Sequence, residues 1–131
     1  MRPRPRILIV DDEVNVARTL QMILEIQGYR VTAAYSGAQA AQLLSSRLRF
    51  DAVVTDLNME RADTGLDIAR RAAQLQPRPM IMIATGFPDA SNLQRALHAH
   101  VVDYVIFKPL PVEELLGALR RLLSFRRQAA G

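Results

Sequence analysis

The chain has 131 residues, 50% of them apolar, no cysteine and a formal net charge of +4. That length and apolar content suffice for one well-filled core without staples, and the lack of cysteine excludes a disulfide framework and any thiolate metal site. No apolar run approaches the roughly 18 residues of a membrane span, and "MRPRPR" leads straight into a strand pattern with no signal-peptide core, so a cytoplasmic domain without membrane contact is expected.

The first strand candidate is "RILIV", residues 6 to 10 (β1), followed by a helical pattern over 14 to 27 (α1) that Gly28 ends. "RVTAAY", 30 to 35 (β2), precedes a helix over 37 to 47 (α2), and "DAVVTD", 51 to 56 (β3), precedes one over 65 to 75 (α3) that stops before Pro77. "MIMIAT", 80 to 85 (β4), leads to a helix over 90 to 99 (α4). "DYVIF", 103 to 107 (β5), leads to a last helix over 111 to 124 (α5), with Pro111 in its first turn followed by Glu113 and Glu114. The strand runs are mostly continuous rather than alternating, as expected for strands covered on both faces.

Strict alternation of strand and helix calls for a parallel sheet with right-handed crossovers and helices on both faces. Five units are too few for a barrel. The expected fold is α/β, a flavodoxin-like doubly wound (βα)5 sheet of order 2-1-3-4-5. One domain over 1 to 131 accounts for the chain, with a core over about 6 to 124. A basic tail over 125 to 131 reads as a fraying helix end or the start of a linker, too short for a second domain. Much of the positive charge sits at the ends, on Arg2, Arg4 and Arg6 and on Arg120, Arg121, Arg126 and Arg127, with no aromatic residues interleaved to stack bases. Direct nucleic-acid binding is therefore not expected.

A doubly wound sheet holds its ligand at the carboxyl ends of the strands, where β1 and β3 lie side by side. Those ends carry Asp11 and Asp12 on β1, Asp56 on β3, Thr85 on β4, and Lys108 with Pro109 on β5. Singly each has an ordinary explanation: Asp12 could cap α1, Asp56 could begin a turn, and Lys108 could be a surface cation. Together they converge on one crevice. Lys108 is also the single lysine among 17 basic residues, and an ammonium is a compact point donor where guanidinium is a flat fork. Three crowded carboxylates call for a cation, and an oxygen-only donor set suits Mg²⁺ beside a phosphate. Aspartate is a covalent nucleophile toward phosphorus, and such transfer is catalysed by positioning and charge neutralisation. Lys108 and Thr85 stand where phosphoryl oxygens would need partners.

In this order and spacing, "LIVDDE", "VVTDLNM", "IATG" and "FKP" resemble the receiver domain of two-component response regulators over about residues 6 to 124. The resemblance implies that Asp56 is the phosphoacceptor, Asp12 a direct Mg²⁺ ligand, Asp11 a ligand through water, and the backbone carbonyl of Asn58 the completion of the metal site. It implies further that Thr85 is the switch hydroxyl, that Lys108 holds the phosphoryl group, and that the Lys108–Pro109 bond is cis. The implied donor is a phosphohistidine on a sensor histidine kinase or a histidine phosphotransfer protein, and the phosphoryl group is lost again by self-catalysed hydrolysis. Such a domain is not an enzyme with a separate substrate. Its output is a changed α4-β5-α5 face read by a downstream effector or an output domain, and homodimerisation through that face is left open.

The sequence departs from that pattern in places. Glu60 stands where the family has proline, and the interval from Asp56 to Gly65 is one residue longer than the family's common pattern, so the β3–α3 loop is expected to differ in shape. The family's gate aromatic lies three residues before the lysine, but here that position is Val105, with Tyr104 one place earlier. Tyr104 reaches the gate face only if a bulge resets the strand's phase; otherwise it is a core or surface tyrosine, with Phe107 in its stead or no gate. An alternative reading is a degenerate receiver that no longer switches. A haloacid-dehalogenase-like phosphatase would need a D-x-D motif on β1, which "VDDE" does not supply. His98 and His100 fall on different faces of a helix and support no metal pair, while Met80 and Met82 read as core filling in β4.

Overall fold

The computed structural model describes residues 4–61, 63–86 and 90–130, so Arg2 and Gly131 of the two basic ends lie outside it. Five strands alternate with five helices: β1 (Arg6–Val10), α1 (Val14–Ile26), β2 (Arg30–Ala34), α2 (Gly37–Leu44), β3 (Ala52–Asp56), α3 (Thr64–Ala73), β4 (Met80–Thr85), α4 (Ala90–His98), β5 (Tyr104–Phe107) and α5 (Val112–Ala130). The strands form one parallel sheet in the order β2-β1-β3-β4-β5. The doubly wound arrangement expected from the alternation is the one observed.

Side-chain alternation along the strands sorts the core into two layers. Leu8, Val10, Val53, Ile81 and Ile83 pack against α2, α3 and α4 through Ala40, Leu44, Leu66, Ala69 and Ala96. Ile7, Ile9, Val54, Met82 and Ile106 pack on the other face against α1 and α5 through Ala17, Leu24, Leu115 and Leu119. Because both faces are covered, the central strands can be apolar throughout, which is why β1, β3 and β4 read as unbroken runs. Met82 is core, as expected.

Local chemistry sets the helix ends. Gly28 takes φ +96 just past α1, a left-handed conformation that glycine adopts without a steric cost. Ser36 caps α2 by accepting from the Gln39 amide at 3.1 Å, while the Gln39 side chain accepts from the Tyr35 amide at 2.8 Å. This reciprocal exchange satisfies two amides at the helix start. The largest boundary difference is α5, which runs on to Ala130 rather than ending near 124. Arg126 gives part of the reason: its guanidinium donates to Asp51 at 2.6 Å, and Asp51 also accepts from the Arg6 amide at 2.8 Å, tying the helix end to the amino ends of the central strands. Among the described residues no helix is long and apolar enough to cross a membrane.

Candidate functional site

The register brings the singled-out residues to one edge of the sheet. Val10 pairs with Thr55, Asp56 with Ala84, and Thr85 with Phe107, so the residues that follow β1 and end β3, β4 and β5 lie level with one another. Asp11 follows β1 directly, its amide donating to the Ala34 carbonyl at 3.1 Å, and Lys108 is anchored by its amide to the Thr85 carbonyl at 2.8 Å. The Lys108–Pro109 bond is cis, as the resemblance implied.

The Lys108 ammonium donates to Asp11 Oδ2 and to Asp56 Oδ2, each at 2.9 Å. The side chains of Asp11, Asp56 and Lys108 are only 3%, 11% and 21% exposed, so this charge triad is largely out of water. Asp12 is exposed, yet one carboxylate oxygen from each of Asp11, Asp12 and Asp56 lies within 4.8 Å of the others. Asp12 does not cap α1: the cap position is Glu13, with no side-chain cap bond, and Glu13's amide donates to Asp11 Oδ1 at 2.9 Å. Asp12 therefore presents its carboxylate to the crevice without a helix-capping task.

Burial raises the pKa of Asp56, and the neighbouring charge of Asp11 adds to the rise, while the Lys108 hydrogen bond and charge and the Asn58 amide at 3.4 Å offset part of it. For Lys108, burial pulls the pKa down, but the hydrogen bonds and charges of Asp56 and Asp11 outweigh it and hold the ammonium above its ordinary value. The lysine thus stays charged and the nucleophile candidate sits in a pocket that under-solvates its anion. Such a pocket favours an added cation.

Asn58 follows two residues after Asp56, and its side-chain Oδ1 is buried with no hydrogen-bond partner among the described residues. A buried oxygen of that kind is costly unless something pairs with it. Thr85 is fully buried at the end of β4. The loop between Asn58 and α3 is rooted by Gly65, whose amide donates to the Leu57 carbonyl at 3.0 Å.

Tyr104 is not brought to this edge. The ladder between β4 and β5 is regular, Met82 with Tyr104 through Thr85 with Phe107, with no bulge to reset the phase. Tyr104 therefore packs with Ile106 on the α1 and α5 side, and its hydroxyl donates to Glu114 at 2.7 Å. That hydrogen bond raises the tyrosine's pKa. Phe107, 52% exposed, shares the opposite face with Thr85. His98 closes α4 and His100 lies beyond it in the left-handed region at φ 55, and neither belongs to the cluster of Asp11, Asp12 and Asp56.

Two contacts had no sequence signal that named both partners. Glu60 reaches across to α2, its Oε1 accepting from the Gly37 amide at 2.8 Å, and Arg126 reaches Asp51. Both join residues more than twenty positions apart, which spacing rules within one element cannot pair.

A five-stranded doubly wound sheet with three carboxylates and a lysine at its switch point defines an α/β domain of the flavodoxin-like class with an acidic pocket at the strand ends. The family described as the response regulator receiver domain matches residues 7–120, and the chain belongs to that family. It is 34% identical over 128 residues to the transcriptional regulatory protein ZraR of Salmonella typhimurium, a match covering 98% of this chain and 28% of ZraR, so the chain spans less than a third of that relative. Among solved structures, a CheY-like response regulator receiver domain protein of Methanospirillum hungatei superposes with a TM-score of 0.88 at 25% identity, covering 96% of this chain and 98% of that one. The response regulator TrrA of Thermotoga maritima, solved in complex with Mg²⁺-BeF, superposes with a TM-score of 0.74 at 26% identity over 90% of this chain and 98% of its own.

Proposed function

We propose that this receiver domain accepts a phosphoryl group on Asp56 from a phosphohistidine of a sensor histidine kinase or histidine phosphotransfer protein, with Mg²⁺ bound by Asp12, Asp56, the Asn58 carbonyl and, through water, Asp11. The observation that carries the reading is the Lys108 ammonium held 2.9 Å from both Asp11 and Asp56 in a pocket of three carboxylates. The oxygen-only donor set and the raised pKa of Asp56 fit a hard divalent cation. TrrA, which shares this fold, was solved in complex with Mg²⁺-BeF. When bound, the metal supplies neutralisation of charge on the phosphoryl oxygens.

The Asp56 carboxylate attacks phosphorus in line as the bond from phosphorus to the nitrogen of a phosphoimidazole protonated on its other nitrogen breaks, leaving a neutral imidazole and an aspartyl phosphate. Lys108 then exchanges its carboxylate partner for a phosphoryl oxygen. The Thr85 hydroxyl moves toward the same group, and Phe107, which shares its face, is the aromatic placed to follow. The α4-β5-α5 face changes, and a downstream effector or an output domain beyond these residues reads it; ZraR, by name a transcriptional regulator, illustrates one such output. Water attack on phosphorus breaks its bond to the Asp56 oxygen, releasing inorganic phosphate and restoring the carboxylate. The reading places the domain in the cytoplasm, with no nucleic-acid or membrane contact of its own.

A small-molecule phosphodonor added with Mg²⁺ should shift the amide resonances of α4, β5 and α5; an adduct without those shifts would mark a fixed docking module instead. Asp12→Ala should weaken Mg²⁺ binding by more than about tenfold, since loss of even an indirect ligand contact costs that much. Its metal-free stability should stay level or rise, because one of three repelling charges is gone. Unchanged Mg²⁺ affinity by titration calorimetry would place the metal away from β1.

A further inference from the structure

The residue that departs most visibly from the receiver pattern has a defined partner. Glu60, four residues after Asp56, accepts a hydrogen bond from the amide of Gly37, the first residue of α2. The first turn of α2 contains no acidic residue of its own, so the carboxylate that complements the positive end of this helix comes from the β3–α3 loop.

Gly37 is fitted to this junction. A Cβ there would lie 2.7 Å from Thr64 Cγ2 and 3.6 Å from Glu60 Oε2, so a bare backbone lets α2 and the start of α3 close on the loop together. Thr64 is itself buried, accepts from the Arg61 amide at 3.2 Å and donates its own amide to the Arg61 carbonyl at 3.3 Å. The loop is therefore held at its root by Gly65 on Leu57, in its middle by Thr64 on Arg61, and at its crown by Glu60 on Gly37. Asn58 lies between root and crown. Two of these ties are internal to the loop and α3; Glu60 alone among them reaches a separate element.

We infer that Glu60 is a positioning residue for the phosphoacceptor site: by bonding the first amide of α2 it fixes the β3–α3 loop, and with it Asn58, relative to Asp56. The longer loop is steadied here by a carboxylate latch, where proline in the family's pattern would steady it by limiting φ. This inference rests on the reading of Asp56 and Asn58 as phosphoacceptor and metal ligand, and it couples α2 to that site.

The test compares the full chain with Glu60→Ala and Glu60→Gln, reading amide resonances and Mg²⁺ binding. Glu60→Ala should move the Gly37 and Asn58 amides, speed exchange at Gly37 and weaken Mg²⁺ binding about fivefold, the size of one lost hydrogen bond. Glu60→Gln keeps a carbonyl acceptor and should recover most of that loss. A residue that only stabilised the fold would lower the melting temperature and leave Mg²⁺ affinity alone. Wild-type Mg²⁺ affinity in Glu60→Ala, or an unmoved Gly37 or Asn58 amide, overturns the inference. If the wild type itself took no Mg²⁺, the site reading would fail, and the latch would be judged by the Gly37 and Asn58 amides of the metal-free protein.

Discussion

Replacing Gly65 with alanine is expected to destabilise the protein by about 2–3 kcal/mol, despite the better helix propensity of alanine. Gly65 is the second residue of α3, where exchanging glycine for alanine normally gains up to about 1 kcal/mol. Here a Cβ would overlap the Asp56 carbonyl oxygen and lie 2.6 Å from Leu57 Cα and 2.7 Å from the Leu57 carbonyl oxygen. All three are backbone atoms on the segment that carries Asp56, so no rotamer change relieves the overlap. The helix must move off β3 or the strand end must shift, and the hydrogen bond that the Gly65 amide donates to the Leu57 carbonyl is lost with either. A thermal melt should show the midpoint lowered by roughly 10 °C; a midpoint at or above wild type would mean that α3 is not seated this closely on β3.

Lys108→Arg is expected to fold normally and still accept phosphoryl on Asp56, yet to lose most of the phosphorylation-dependent shifts on α4, β5 and α5. One nitrogen now lies 2.9 Å from an oxygen of each of two buried carboxylates, a geometry that a single tetrahedral ammonium satisfies. A guanidinium carries the same charge on a wider planar fork, so it must splay between the carboxylates or press toward Thr85. Charge neutralisation at a phosphoryl group would survive in part, because bound Mg²⁺ would share it. The point donor proposed to draw β5 toward that group would not. Wild-type-sized shifts in the variant would make the lone lysine an accident of composition.

The strands could be read almost to the residue because each is a short β-rich apolar run between polar punctuation, and β1 and β4 begin and end where the runs do. The switch-point rule then led directly to Asp11, Asp12, Asp56, Thr85 and Lys108, since strand order alone decides which carboxyl ends are neighbours. What sequence could not supply was the phase of β5 and the pairing of distant polar groups. The position of Tyr104 depends on whether one residue bulges, and the regular ladder with Met82 settles it toward α5. Part of the support for the end of α5 is an ion pair between Arg126 and Asp51, residues 75 apart, and a basic stretch that reads as fraying is helical. Glu60 reads as a mere departure until Gly37 is seen opposite it.

The measurement that bears most directly on the phosphoacceptor reading is intact mass after incubation with a small-molecule phosphodonor, with and without Mg²⁺, for the wild type and Asp56→Asn. The variant should be well folded. Burial lifts the folded pKa of Asp56 above its ordinary 3.8, so the carboxyl contributes stability at low pH that is lost as pH rises through 3.8 toward the folded value. Removing the ionisable group removes that loss, and metal-free Asp56→Asn should melt no lower than wild type at neutral pH. The account predicts a single phosphoryl adduct on the wild type, confined to the Mg²⁺ sample and absent from Asp56→Asn. A full-strength adduct on the variant, or one on the wild type that is indifferent to Mg²⁺, would contradict it.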